Sequence, residues 1–210
     1  MTRDLERLKR SLEEPIVGGL PDIPGIGAAM RLTPGLGIHL RGLADELLVN
    51  DYPGATLERA EREMLAAAVS AANDCFFCMD SHSAHAGALL EGRGTAEQAP
   101  LLDTLKDGMS EGFDDKMRAL LHVARTVRGD ARELTAMDVE SARDAGATDA
   151  DVQLAVLIAA AFSMYNRMVD GLRARTPADT GAYRARAAEI AAHGYGAPAG
   201  SAEGERAPSA

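Results

Sequence analysis

Residues 58–86 read ERAEREMLAAAVSAANDCFFCMDSHSAHA, and the fold turns on them. Leu57, Glu61, Leu65, Ala68 and Ala72 recur at helical spacing, so an alanine-rich helix runs to about Asn73. A second helix starts near Asp74 or Cys75 and ends at the glycines Gly92 and Gly94. At 100° per residue, Cys75, Cys78, His82, His85 and Leu89 fall within an arc of roughly 80° on its face. Two thiols and two imidazoles therefore share one stripe beginning at a helix N-terminus.

Working outward, residues 2–13 predict a short amphipathic helix capped by Thr2, followed by a wrapping segment broken by Pro15, Pro21, Pro24 and Pro34. Leu36, Leu40, Leu43, Leu47 and Leu48 predict a helix over 35–49, and Thr56 is the expected N-cap of the next one. Further helices fit 96–107, 114–128, 135–145 and 149–172, with Thr95, Thr135 and Thr148 as caps, and a last one lies near 178–193. From Gly194 the chain becomes GYGAPAGSAEGERAPSA, too poor in apolar residues to offset its ordering entropy, so a disordered tail is expected there. No alternating pattern, Gly-rich phosphate loop or fixed repeat is present. The expectation is an all-α bundle of about seven or eight helices with the cysteines at the N-terminus of a core helix. Its parts are an N-terminal segment over 1–34, a helical domain over 35–193 and a tail over 194–210.

Composition narrows the function. Apolar residues make up 46% of the chain but aromatics only 4%, which favours a core of Ala, Leu, Val and Met in helices. Against a formal charge of -10 with no basic cluster, a nucleic-acid phosphate backbone would be repelled. The charged N-terminal stretch MTRDLERLKRSLEEP and the short apolar run from Leu154 to Phe162 argue against a signal or a membrane span, so a cytoplasmic protein without a membrane partner is expected. In a reducing compartment two cysteines three residues apart read as catalytic, redox-sensing or metal-binding rather than as a structural staple.

A thiol at a helix start faces unpaired N–H groups and the positive end of the dipole, which favour thiolate, the form that attacks peroxide. His82, one turn after Cys78, can take or return the proton if a carboxylate fixes its orientation. Glu58, Glu61 and Glu63 on the preceding helix are the candidates, and periodicity does not choose between them.

The stretch from Glu58 to Ala86 resembles the core of the alkylhydroperoxidase D-like proteins of the carboxymuconolactone decarboxylase superfamily. That family carries a Glu, then Cys-x-x-Cys, then His. Glu63 stands twelve residues before Cys75, and His82 four after Cys78, matching this spacing. The segment FSMYNRMVDGL, Phe162 to Leu172, resembles a helix ending of the peroxidase-related branch. The resemblance implies a thiol-dependent peroxidase in which Cys78 attacks a hydroperoxide, Cys75 resolves the product, and Glu63 and His82 relay the proton. It further implies a homo-oligomer, trimeric or hexameric, and a dithiol reductant such as a lipoyl-domain protein. No organic cofactor or metal is expected. Phe77 stands where the well-studied branch has a histidine. His85, Tyr165 and Asn166 are supporting candidates.

Two other readings compete with a peroxidase. Cys75, Cys78, His82 and His85 are all permissible zinc ligands, although Cys78 and His85 lie two turns, about 10 Å of rise, apart on one helix. The pair can also serve as a redox sensor whose disulfide alters an oligomer without turnover.

Overall fold

Alanine-rich helices carry little side-chain bulk, so neighbours can close on them from several sides. In the computed structural model, which describes residues 3–92 and 100–196, the helix after Glu58 occupies that central position. The described residues form ten α-helices: α1 (Arg3–Ser11), α2 (Ile26–Leu32), α3 (Pro34–Leu48), α4 (Arg59–Ala72), α5 (Phe76–Gly92), α6 (Leu101–Lys106), α7 (Asp115–Asp130), α8 (Ala136–Asp144), α9 (Asp149–Gly171) and α10 (Arg184–His193). Short 3-10 turns at Ala131–Glu133 and Thr180–Tyr183 complete them, and the described residues contain no strand. The expected caps Thr2 and Thr95 lie outside the described residues.

Ala66, Ala67, Ala68 and Val69 of α4 are buried on all sides, with α5, α6, α7 and α9 packed around it. By length and composition α9 could cross a bilayer, but its apolar side chains Leu154, Ile158 and Phe162 are buried in the bundle core. Thr135 and Thr148 cap α8 and α9 as expected, each closed by an aspartate three residues on.

Three expectations are corrected. Thr56 does not cap α4; Glu58 does, with Glu61 reaching back to the Glu58 N–H at 2.7 Å, while Thr56 binds Asp151. The wrapping segment is not wholly irregular, because α2 forms inside it with Ala28, Ala29 and Met30 buried. Gly25 permits this: its φ is +58°, and a Cβ there would collide with the Phe77 ring. Finally, Gly194–Gly196 are not part of a loose tail. Arg59 of α4 donates to the last carbonyls of α10, Ile190 and Ala191, both at 2.9 Å, and Gly194 turns at φ +76° so that the Tyr195 N–H reaches Asp45 at 2.6 Å. The rest of the expected tail lies outside the described residues.

The N-terminal helix is also more than trimming. Arg7 of α1 pairs with Asp80 of α5 through its Nε at 2.8 Å and Nη2 at 3.2 Å, and stacks over Phe76. Asp80 is 3% exposed, so the pair clamps α1 onto the helix that follows Cys75.

One buried carboxylate locks the entry to α4 against the start of α9. Asp151 accepts from the Thr56 N–H at 2.7 Å, the Thr56 hydroxyl at 2.8 Å, the Leu57 N–H at 2.9 Å and the Thr148 N–H at 3.0 Å. Burial alone would raise its pKa, but these bonds hold it down at about 2. Asp151→Ala strands those donors, and we expect the unfolding free energy to fall by about 2–4 kcal/mol, read as a lower urea midpoint at unchanged slope. Because the folded-state pKa lies below the unfolded one, the wild-type contribution is complete above about pH 4 and is lost as pH falls toward 2.

Candidate functional site

The turn between α4 and α5 sets the two cysteines. Asp74 takes a left-handed φ of +56°, and the Cys75 N–H returns to the Ser70 carbonyl at 3.0 Å. The Cys75 carbonyl then accepts the first bond of α5 from Met79 at 3.0 Å, so Cys75 stands at the N-cap and Cys78 at the third helical position. Both cysteines are reduced and buried.

They are not equivalent. Cys78 lines a cavity of about 720 Å³, together with His82, His85 and Tyr195, whereas Cys75 lies behind that wall. A hydrogen bond to Cys78, burial and the nearby Asp170 carboxylate push the Cys75 thiol well above its ordinary pKa. At Cys75 its sulfur neighbour, burial and a like charge outweigh the helix dipole.

Glu63 is the carboxylate that α4 delivers to the histidines, whereas Glu61 is spent on the helix cap. Glu63 has no solvent exposure, and its Oε2 accepts from the Nδ1–H of His82 at 2.6 Å. Its Oε1 accepts from the Tyr195 hydroxyl at 2.6 Å. The Tyr195 oxygen lies 3.0 Å from Nδ1 of His85 and 3.2 Å from Nδ1 of His82, and Nε2 of His85 lies 3.4 Å from the Ser81 hydroxyl. These bonds fix the tautomers: both imidazoles carry their proton on Nδ1, and Nε2 of His82 is left as a proton acceptor.

The charges follow from the same contacts. Burial opposes ionisation of Glu63, but His82 and His85 hold it down at about 2, so it is a carboxylate. Burial lowers His82 below its ordinary value despite the pull of Glu63, leaving a neutral imidazole at neutral pH. Burial and Glu63 push Tyr195 far up, so it remains a neutral donor. Phe162 packs edge-on against the His82 ring with centroids 4.5 Å apart and fixes it from the side.

Of the residues singled out from sequence, Glu63, His82 and His85 converge, and Cys78 shares their cavity with Cys75 behind it. Tyr165 also lines the cavity, but its hydroxyl is committed to the Leu40 carbonyl at 2.8 Å and burial raises its pKa to about 12. Asn166 does not join the site; it bridges Asn73 and Ser70 at 2.8 and 3.0 Å. The sequence-based zinc set of Cys75, Cys78, His82 and His85 does not converge. Among the described residues the cluster with metal-like spacing is Glu63, His82 and His85. Tyr195 was missed, since its neighbours are Gly, Ala and Pro. The signal available was a single aromatic residue in an otherwise small-residue tail, directly after a helix-stop glycine.

Residues 44–125 match the model of the carboxymuconolactone decarboxylase family, a span that includes Glu63, Cys75, Cys78 and His82. No curated protein matches the chain. Two solved structures share its fold. One is an alkylhydroperoxidase AhpD core, an uncharacterized peroxidase-related protein from Ralstonia eutropha JMP134, with a TM-score of 0.64 and 26% identity over 74% of this chain and 77% of that one. The other is an uncharacterized peroxidase-related protein from Silicibacter sp. TM1040, with a TM-score of 0.62 over 83% of this chain and 93% of that one; at 22% identity it speaks to the fold alone. With its helical bundle shared by these structures and its Glu63, Cys75, Cys78 and His82 inside the matched span, the chain is similar to the alkylhydroperoxidase D-like proteins of the carboxymuconolactone decarboxylase superfamily.

Proposed function

We propose that the protein is a thiol-dependent peroxidase that reduces hydroperoxides through Cys78 and Cys75. The observation that carries this reading is the asymmetry of the pair: one sulfur on the wall of a cavity beside an oriented neutral imidazole, the other behind it and held protonated.

Nε2 of His82 takes the Cys78 proton, and the thiolate attacks the terminal peroxide oxygen. The S–O bond forms as the O–O bond breaks, Cys78 becomes a sulfenic acid, and the leaving alkoxide recovers the proton from His82 as an alcohol. Glu63 bears the transient imidazolium charge. The Cys75 thiol then condenses with the sulfenic acid, releasing water and forming a disulfide that protects Cys78 from further oxidation. An external dithiol such as that of a lipoyl-domain protein restores both thiols. The cycle uses no organic cofactor or metal. A cytoplasmic homo-oligomer, trimeric or hexameric, is the setting the family likeness suggests, and exposed Leu36 and Ile38 on α3 offer apolar surface for it.

Four measurements test this reading. With excess dihydrolipoamide, wild type should consume peroxide, Cys78→Ser should abolish turnover and sulfenic acid formation, and Cys75→Ser should still form one sulfenic acid per chain without turning over. No thiol-dependent consumption by wild type would end the proposal. His82→Ala should lower kcat/KM by about 10² to 10⁴. Because burial lowers the His82 pKa, the acid limb of the wild-type profile should lie below about pH 6.5, and Glu63→Gln should move it lower still by removing the charge that favours imidazolium. Tyr195→Phe deletes one donor to Glu63 and should cost about tenfold in kcat while leaving the circular dichroism spectrum unchanged.

A further inference from the structure

The cavity beside Cys78 has two chemically distinct parts. Its wall is mainly apolar, built by Ile23, Ile26, Met30, Phe77, Phe162 and Ile190 from several elements. Its volume of about 720 Å³ is far larger than hydrogen peroxide or a short alkyl hydroperoxide needs, and lies in the range of sites that enclose chain-like ligands.

Charge on the wall runs against the charge of the chain. The protein carries a formal -10, yet the wall holds Arg31, Arg41 and Arg186 against one carboxylate, Glu189. Arg186 and Glu189 neutralise each other at 2.8 Å. Arg31 on α2 is exposed and Arg41 on α3 is half-buried, and among the described residues neither has a carboxylate partner. Two uncommitted guanidinium groups from adjacent helices thus border one apolar chamber that also contains the nucleophilic sulfur.

We infer that Arg31 and Arg41 form an anion-binding subsite, and that the cavity takes an amphipathic anion: an apolar chain bearing a carboxylate or phosphate head. The guanidinium fork matches the paired oxygens of either head, while the chain replaces water along Ile26, Met30 and Phe162. The inference rests on the peroxidase reading only for its reactive form, in which the same anion carries a hydroperoxide on its chain. Binding of the head and chain needs no peroxide and no cysteine. A neutral short hydroperoxide fills only part of the chamber and makes no use of the arginines.

Non-peroxidic probes separate this subsite from the chemistry. By isothermal titration calorimetry of the full chain, oleate should bind at one per protomer and oleyl alcohol at least about tenfold more weakly, and oleate affinity should fall as salt rises. Dodecyl phosphate compared with laurate tells a phosphate from a carboxylate preference. In Arg31→Gln/Arg41→Gln, whose arginines form no hydrogen bond or ion pair among the described residues, oleate affinity should drop roughly tenfold to the level of the alcohol, with the melting temperature unchanged. Equal binding of acid and alcohol, or an unchanged oleate affinity in the double variant, overturns the anion subsite. Absence of oleate binding in a protein that turns over tert-butyl hydroperoxide also overturns it while leaving the peroxidase reading intact. Oleate binding in a protein with no turnover supports the subsite and removes the peroxidase reading.

Discussion

A carboxylate with no contact to solvent sits at the centre of this bundle, and the arrangement around it is the condition for keeping it charged. Moving such a group out of water costs several kcal/mol even after relaxation, unless donors replace the lost hydration. Glu63 receives His82 on one oxygen and Tyr195 on the other, with His85 3.6 Å from the first. Satisfying that charge constrains elements far apart in sequence. It sets the register of α5 on α4, and it requires the chain to come back after α10 and insert Tyr195. The ties that bring it back, from Arg59 to the end of α10 and from Asp45 to the Tyr195 N–H, use residues with no other evident task.

The same constraint explains the different surroundings of the two cysteines. Once α5 is fixed by Glu63 and His82, its first turn places Cys78 on the cavity side with His82, one helical turn apart. Cys75, at the N-cap, is turned toward Cys78 and Asp170 instead. A helix N-terminus favours a thiolate in general, but burial beside a second sulfur and a carboxylate pushes the Cys75 thiol up instead. Position in the fold, not position on the helix, separates the two thiols chemically.

Much of this was legible in the sequence because it is local. Helix existence, the Thr135 and Thr148 caps, the break at Asn73-Asp74 and the shared face of Cys78, His82 and His85 all follow from spacings shorter than two turns. What was not legible depends on long-range partners. Thr56 looked like a cap because nothing in the sequence reveals Asp151, and nothing in it reveals that Arg7 pairs with Asp80. Periodicity could not separate Glu61 from Glu63, since both lie near the apolar arc of α4. The family spacing favoured Glu63, and the contact with His82 is what gives that preference a physical cause. Tyr195 escaped because a composition argument averages over the tail, whereas one aromatic ring burying itself against two others is enough to order three residues.

Phe77 gives the last step. Where well-studied relatives have a histidine beside the second cysteine, this chain has a ring packed edge-on against Tyr183, close enough to α2 that only glycine fits at position 25. The sulfur end of the site therefore has an apolar wall, while His85 and Tyr195 stand at its carboxylate end. On the peroxidase reading, proton transfer then runs directly between Cys78 and His82, with no third group to share it. His85 and Tyr195 act at a distance from the sulfur, by holding Glu63 ionised and His82 in one tautomer. Phe77 gives the chamber next to Cys78 an apolar wall there. On that same reading the cavity suits a bulky apolar hydroperoxide better than hydrogen peroxide, whose small polar body gains nothing from a Phe77 wall.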